Sequence, residues 1–438
     1  MPSSHATPSP ETRTCRRQPS RLAHPIPDAL AARLDGHLAT FAAHLREGLL
    51  AASSAVGLEV LDELMAAEVD ALVGPKGKHR ADRAAYRHGA EAGAVSLGGR
   101  RLAVRRPRVR SADRAAELPL ATYEAASATD LLADGIVARM LAGLSTRRYG
   151  AGLEPVGAAI EARRTGTSHA AVSRRFVAAT AERLAGFMSR SLADQRFTVV
   201  MLDGFGMGEH LLLGALGIRA DGVKVPLGVV EGTVENEAVV TALLADLRDR
   251  GLDASAGLLF VVDGGTGIGA GIRRLFGQRV MVHRCRRHKE RNVLARLPEI
   301  ERPLVQRRLR AAWAEQDPVR AKALLEALAR SLAHQRPGAA ASLREGLSDT
   351  LTLTRLGVTG SLLRTLESTN PMESMIEIVR DHATRVKRWE SGEMALRWAA
   401  AGMLAAESQF RRVKGYRELP ALAAALRREL RIPGAASA

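Results

Sequence analysis

Two aspartates close apolar, β-branched runs and are each followed by glycine: Asp203 in RFTVVMLDGFG and Asp263 in AGLLFVVDGG. In α/β folds, ligands and catalytic groups collect at strand C-termini. An aspartate there either caps the next turn or offers hard oxygen ligands to Mg²⁺. Two of them in one sheet of a strongly basic chain point toward metal. A two-ion phosphoryl-transfer site requires about three carboxylates, the third from a helix that packs back on the sheet. Glu373, in LESTNPMESM, fits that requirement. Asn370 or Thr369 can serve as N-cap, Pro371 suits the first turn, and a glutamate there meets the positive end of the helix. Glu367, before the turn, and Glu377, one helical turn further on, are flanking acids that could support the site.

Cys285 and His288 form a Cys-x-x-His pair where the strand QRVMVHRC ends. This spacing could be half a zinc site, but no second cysteine lies nearby. A small buried Cys285 ending the strand is therefore expected. Arg284, Arg286, Arg287, Lys289 and Arg291 surround the pair, either as phosphate contacts or as a solvated basic face. Beyond Glu373 the sequence predicts a long basic helix carrying Arg380, Arg385, Lys387, Arg388 and Arg397. Arg380 would share nearly the same face as Glu373, with Arg385, Lys387 and Arg388 following a DNA backbone. Trp389 and Trp398 are expected in a core. Aromatic residues are only 3% of the chain, which disfavours single-strand binding on stacking platforms. The stretch GTGIGAG after Asp263 lacks the lysine of a P-loop, so no nucleotide cofactor is expected.

These residues need a scaffold. From RFTVVMLDG onward the pattern is strand, then two strands joined at Ala220-Asp221-Gly222, then the amphipathic helix ENEAVVTALLADLRDRGLD, a buried strand, a short helix and a last strand. The order β-β-β-α-β-α-β specifies an α/β core. Residues 289–360 read as Ala/Leu/Arg-rich helices. Upstream, residues 28–72 show helical periodicity, and VSLGGRRLAVRRPRV reads as a hairpin turned at Gly98-Gly99. Its arginines include Arg105, Arg106 and Arg108. Residues 128–193 are helical again. A helix, a turn at Gly166 and a second helix from about Ser168 form a candidate helix-turn-helix, with Ser173, Arg174 and Arg175 near the start of the second helix where DNA contacts are made. An ordinary helical hairpin is the competing reading.

The chain has 438 residues, 46% of them hydrophobic, so it can bury several cores. Lys and Arg number 64 against 47 acids, a net charge of +17. Such an excess suits a polyanionic partner, above all nucleic acid. Two cysteines, Cys15 and Cys285, exclude a disulfide framework and a multi-cysteine zinc finger and suit a reducing, cytoplasmic, nucleoid-associated setting. No secretory h-region and no apolar run of about 18 residues appears, so no membrane partner is expected.

The ordered pieces resemble the Mutator-type (insertion-sequence) DDE transposases. YRHG followed by RRPRVR is similar to that family's N-terminal signature, although Asn is more usual there than His88. LDG with LGALGIRADGVKVPLGVVEG is similar to the region of its first acid, VVDGG to the second, VHRCRRHKERNVL to its Cys-x-x-His element and STNPMES to the block of its final Glu. The Gly-rich GFGMGEH after Asp203 departs from the pattern. The resemblance implies a multidomain α+β protein whose ribonuclease-H-like α/β core carries an all-α insertion behind helical DNA-binding domains. It implies Asp203, Asp263 and Glu373 as a catalytic triad holding two Mg²⁺ or Mn²⁺ ions. His288 would stand beside them, reaching the scissile phosphate or leaving oxygen. It further implies binding of terminal inverted repeats and target in double-stranded DNA, strand cleavage and strand transfer. Pairing two DNA ends requires at least a homodimer on DNA. A non-catalytic helix-turn-helix DNA-binding protein, or a decayed transposase acting as a repressor, is the alternative, and a nuclease with the same core is a third reading.

The expected organisation is a basic tail without packed structure (1–25), an N-terminal helical and hairpin DNA-binding region (26–127) and a helical domain with the helix-turn-helix (128–195). The first part of the core (196–288), the helical insertion (289–360), the second part of the core with the Glu helix (361–410) and a C-terminal helix and tail (411–438) follow.

Overall fold

The computed structural model describes residues 28–45, 48–77, 85–113, 115–128, 131–233 and 236–431. The tail expected over 1–25, with Cys15, lies outside the described residues. The chain divides into two compact units. The first comprises Met1–Gly98, Leu102–Thr129 and Glu154–Arg164, and the second Gly99–Arg101, Asp130–Leu153 and Thr165–Ala438. The protein is a mixed α and β multidomain structure. No helix among the described residues is long and apolar enough to cross a membrane.

In the first unit, the periodic stretch from residue 28 forms two helices, α1 (Asp28–His44) and α2 (Leu49–Val73), separated at Gly48. Polar ties link them: the Thr40 hydroxyl donates to Glu59 at 3.0 Å, and Arg33 pairs with Glu63. Strands β1 (Ala85–Leu97) and β2 (Arg100–Ser111) flank Gly98 and Gly99. Both glycines have positive φ, 56° and 72°, the conformation a two-residue hairpin turn demands. The short β3 (Glu117–Leu118) adds antiparallel to β2. The carboxylate of Glu68 caps the start of α3 (Ala121–Ala128), accepting from the N–H groups of Ala121 at 2.7 Å and Thr122 at 3.0 Å. Of the hairpin arginines, Arg105 is exposed. Arg106 and Arg108 are each paired with Glu91 and Glu117. They are thus partly neutralised by carboxylates on neighbouring strands instead of standing free for phosphate.

After α4 (Leu131–Leu141), the candidate helix-turn-helix takes a different form. Its first helix, α5 (Ala158–Ala162), has five residues. Gly157, at φ 82°, delays its start, and the chain then turns extended as β4 (Arg164–Thr165), which pairs with β2. One helical turn cannot act as the supporting helix of that motif, and α5 falls in the first unit while α6 (His169–Ser189) falls in the second. Ser168 does N-cap α6, its hydroxyl accepting from Ala171 N–H at 3.3 Å. Arg174 is exposed, Ser173 is half-buried, and Arg175 donates to the Gly166 carbonyl at 2.7 Å.

The second unit is built on a five-stranded sheet: β5 (Phe197–Met207), β6 (His210–Arg219), β7 (Lys224–Glu231), β8 (Leu258–Val262) and β9 (Val280–Arg284), in spatial order β7-β6-β5-β8-β9. The first three form an antiparallel meander, and β8 and β9 add in parallel. Helices α7 (Glu237–Asp249) and α8 (Thr266–Phe276) supply the two crossovers, giving the observed order β-β-β-α-β-α-β. Asn236 starts α7 by accepting from Ala238 and Val239 N–H groups. These helices cover one sheet face through Val240, Leu243, Leu247 and Ile272. The other face packs on α4, α6 and three later helices, α15, α16 and α17.

Between β9 and those helices lie α9 (Arg286–Leu294), α10 (Arg302–Ala314), α11 (Pro318–Ala333), α12 (Pro337–Arg344), α13 (Thr352–Arg355) and α14 (Gly360–Leu366). Residues from Val293 to Leu351 form a separate apolar core here. Then come α15 (Asn370–Ala383), α16 (Gly392–Glu407) and α17 (Leu419–Glu429). The long basic helix expected after Glu373 is therefore two helices. It stops at Ala383, and Ser391 starts α16 by accepting from Met394 N–H at 3.2 Å. Arg385, Lys387 and Arg388 sit exposed on the connection, while Arg380 is exposed on α15 itself. Trp398 is buried, as expected of a core residue, and Trp389 packs on it edge-to-face at 6.5 Å.

Three basic residues expected to contact phosphate are used internally. Arg286 is 4% exposed. Its Nε donates to the Thr350 carbonyl (3.0 Å), Nη1 to the Trp313 carbonyl (3.3 Å) and Nη2 to the Thr354 hydroxyl (2.9 Å). Lys289 is fully buried and donates to the carbonyls of Ser342 and Glu345, while Arg284 donates to the Glu345 carbonyl at 2.8 Å. Burial draws Lys289 down to about 8 and Arg286 down to about 10. The reason is helical phase: on α9 the buried positions are 286, 289 and 293, and Arg287 and Arg291 are exposed. Arg286→Ala is expected to lower stability by on the order of 3 kcal/mol, because it leaves buried acceptors without a donor. Arg287→Ala should stay within about 0.5 kcal/mol. Urea unfolding of the two variants distinguishes a buried clamp from a surface cation; equal effects contradict this assignment.

Candidate active site

The parallel ladder between β5 and β8 runs from Val199↔Leu259 to Leu202↔Val262, and that between β8 and β9 ends at Val262↔Arg284. The next row across the three strands is Asp203, Asp263 and Cys285. Alternate residues of a strand share a face. Val199 and Met201 of β5, Val261 of β8 and Met281 of β9 pack in the same core as Met372, Met375 and Ile376 of α15. The row therefore faces α15. Asp203 does not end its strand as expected. β5 stays paired with β6 as far as Met207↔His210, so Asp203 marks the point where the strand loses only its parallel neighbour. Asp203 is 6% exposed, and its Oδ1 accepts from Gly204 N–H at 2.9 Å. Asp263 is half-buried and its Oδ1 accepts from Gly265 N–H at 3.4 Å. The turn-capping role expected of such aspartates is thus present alongside their convergence.

Glu373 sits in the first turn of α15, whose N-cap is Thr369. The Glu373 N–H donates to the Thr369 carbonyl at 2.9 Å, and the Thr369 hydroxyl donates to Glu373 Oε1 at 3.1 Å. His288 comes from α9. Its Nε2 is 3.8 Å from Glu373 Oε1, and its Nδ1 is 3.2 Å from the sulfur of Cys285 and 3.4 Å from the Thr369 hydroxyl. Cys285 is fully buried and N-caps α9, its sulfur accepting from His288 N–H at 3.5 Å. His283, on the same strand, is buried elsewhere against the Asp349 carbonyl at 3.1 Å. Glu367 lies outside the acid row, with its backbone carbonyl accepting from Arg286 N–H at 2.8 Å, and Glu377 is exposed. Thr369 was legible only as a cap. Its spacing of four from Glu373 signals a shared helix face, but nothing local signals its approach to His288.

Burial, reinforced by the charges of Asp263 and Glu373, pushes the Asp203 carboxyl up to about 7. Burial and the nearby Arg291 cation lower His288, which favours neutral imidazole at neutral pH. Burial raises the Cys285 thiol. The carboxylates are near enough to feel one another's charge. Among the described residues, however, no three His, Cys, Asp or Glu side chains are gathered closely enough to hold a metal ion between them. Beside Glu373 and His288 opens a cleft of about 780 Å³, lined by Arg287, Arg291, Arg302 and Arg310. Arg310 is held by Glu290 at 2.8 Å.

The raised Asp203 carboxyl has a consequence for stability. Between about pH 4 and about pH 7 the unfolded chain has released this proton while the folded chain still holds it, so this group costs stability as pH rises. In the presence of a chelator, Asp203→Asn is expected to raise the unfolding midpoint near pH 8 and to change it little near pH 4. The same gain at both pH values, measured by thermal unfolding, contradicts a buried, repelled carboxyl.

Comparison with known proteins bears on this arrangement. The family description "Transposase, Mutator family" matches residues 41–412, a span that contains every residue of the acid row, α9 and α15. A transposase for insertion sequence element IS6120 of Mycolicibacterium smegmatis is 29% identical over 147 residues, covering 32% of this chain and 45% of that protein. A transposase for insertion sequence element IST2 of Acidithiobacillus ferrooxidans is 29% identical over 176 residues, covering 40% of this chain and 58% of that protein. The chain spans about half the length of these curated relatives. With the family match running through both units and through the whole candidate site, the chain belongs to the Mutator family of transposases.

Proposed function

We propose that this chain is a DNA transposase of an insertion sequence. It binds terminal inverted repeats, cleaves the element's ends by hydrolysis to free a 3′-OH, and joins that hydroxyl to target DNA by direct transesterification. The observation that carries this reading is the convergence of Asp203, Asp263 and Glu373 from two parallel strands and a helix, in a chain of this family. The sheet with its antiparallel meander, parallel additions and helical insertion before α15 suits a ribonuclease-H-like core. The donor set suits Mg²⁺ or Mn²⁺. It is all carboxylate oxygen, the ligand type hard cations prefer, and the charges of Asp263 and Glu373, which add to burial in raising Asp203, are what a divalent cation offsets.

Two such ions held by Asp203, Asp263 and Glu373 would supply Lewis acidity, nucleophile activation and stabilisation of the leaving oxygen. The chain's own residues supply the rest. His288, turned by Cys285 and Thr369 through Nδ1, directs Nε2 toward the acids, where it can hydrogen-bond a scissile phosphate or leaving oxygen. Arg287 and Arg291 present cations to a phosphate backbone in the adjoining cleft. Arg105, Ser173, Arg174, Arg380, Arg385, Lys387 and Arg388 are further DNA contacts in this reading. The N-terminal hairpin region and α6 serve end recognition, and the protein acts as a homodimer or larger assembly on DNA.

A non-catalytic DNA-binding protein of the same fold is the second reading, favoured by the lack of a gathered three-group cage among the described residues. Incubation of the full chain with labelled inverted-repeat DNA and Mg²⁺ separates the two. Wild type is expected to cleave and to transfer strands. Asp203→Ala, Asp263→Ala and Glu373→Gln should each lose at least about 10³-fold in rate while still binding DNA. Wild type and variants behaving alike leaves the non-catalytic reading standing. Binding measured across salt concentrations addresses the cleft: Arg287→Ala and Arg291→Ala should each flatten the slope of log K against log salt by about 0.9. An unchanged slope removes them from the phosphate path.

A further inference from the structure

Thr369 is fully buried at a position where a threonine ordinarily spends its hydroxyl on the helix. An N-cap side chain accepts from a backbone N–H of the first turn, a bond worth about 1 kcal/mol. Thr369 makes no such bond. Its hydroxyl is turned instead to side chains of the site. It donates to Glu373 Oε1 at 3.1 Å. It lies 3.4 Å from His288 Nδ1 and 3.9 Å from the Cys285 sulfur. One hydroxyl thus touches groups delivered by α9 and α15, and by the Cys285 cap that follows β9. The helix start is secured instead by backbone bonds, with the Thr369 carbonyl accepting from Met372 N–H at 2.8 Å and Glu373 N–H at 2.9 Å.

We infer that Thr369 is a positioning residue that holds the Glu373 carboxylate and the His288 imidazole on a common hydroxyl, so that Glu373 stands ready to receive a divalent cation. The inference rests on the metal-dependent reading proposed above. A hydroxyl carries one proton and two lone pairs, so it can donate to the Glu373 carboxylate and accept from the His288 ring N–H, and it orients both without adding charge. The γ-methyl of a β-branched residue restricts χ1, so the hydroxyl stays aimed at Glu373 and His288 when no ion is present. Valine, nearly isosteric but without the hydroxyl, keeps the packing and releases the Glu373 carboxylate. Serine keeps the hydroxyl and loses only the methyl.

The test uses the full chain, with Mn²⁺ alone as the probe. Mn²⁺ binding is followed by calorimetry and by the rise of the unfolding midpoint, and strand cleavage is measured separately. Thr369→Val is expected to unfold in chelator close to the wild-type midpoint yet bind Mn²⁺ about 10- to 100-fold more weakly, as removal of a group that orients ligands does. Its cleavage rate should fall in step, with the loss in the turnover rate and not in DNA binding. Thr369→Ser should restore Mn²⁺ affinity to within about threefold of wild type. Should the valine variant fail to fold, Thr369→Ala removes the hydroxyl without crowding and carries the same expectation. Wild-type Mn²⁺ affinity in the valine or alanine variant overturns the inference, as does a serine variant as impaired as valine. Asp203→Asn is the control that separates the two claims. If wild type binds Mn²⁺ and Asp203→Asn does not, a normal Thr369→Val defeats the role of Thr369 alone. If wild type neither binds Mn²⁺ nor cleaves, the metal-dependent reading falls first and the inference with it.

Discussion

The register of three strands governs this molecule. Because β5, β8 and β9 stop pairing in the same row, Asp203, Asp263 and Cys285 emerge side by side on one face. A slip of one residue in any of these pairings would send that side chain to the opposite face, among Val200, Leu202 and Phe260. The row is also central. β5 is the middle strand and helices cover both faces of the sheet, so a carboxyl on β5 is buried by construction. That burial sets the electrostatics of the site: the central acid is the one pushed up to about 7.

The helical segment between β9 and α15 is locked to this row by cations, not only by its own apolar core. Arg286 reaches Trp313, Thr350 and Thr354, Lys289 reaches Ser342 and Glu345, and the backbone of Arg286 meets that of Glu367 just before α15. Each cation is taken out of water and repaid by carbonyl acceptors, which explains why removing one partner should matter more than its charge alone suggests. The same helix that sends Arg286 and Lys289 inward sends Arg287 and Arg291 outward, and its intermediate face carries His288 to the acids. One turn of α9 therefore anchors, lines the cleft and addresses the site, and the partition is made by 100° per residue of helical phase.

The net charge of +17 is distributed in a way that composition cannot reveal. Arg106 and Arg108 are shared with Glu91 and Glu117, Arg310 with Glu290 and Arg250 with Asp246. Arg287 and Arg291 are exposed beside Glu373 in the cleft, and Arg380 on α15 and Arg385, Lys387 and Arg388 on the connection after it are exposed as well. A basic composition marks a polyanionic partner, but the path of that partner depends on which cations the fold leaves uncommitted.

The sequence by itself determined the order of elements in the core, the two aspartates at the ends of apolar runs, the glutamate at a capped helix start and the membership of a family. These are local or collinear signals: side-chain period, turn residues and spaced motifs act within one segment of chain. Tertiary structure alone decided that β5 runs past Asp203, since only pairing with β6 extends it, and that the basic stretch after Glu373 breaks at Ala383. It decided that α5 is one turn long, because the following residues pair with β2. It decided which arginines of α9 are buried, because phase needs a neighbouring core to point at. The role of Thr369 is the clearest case. Its sequence context reads as a cap, and only the approach of α9, which brings His288 from 81 residues (288 to 369) away, sets its hydroxyl between that ring and Glu373.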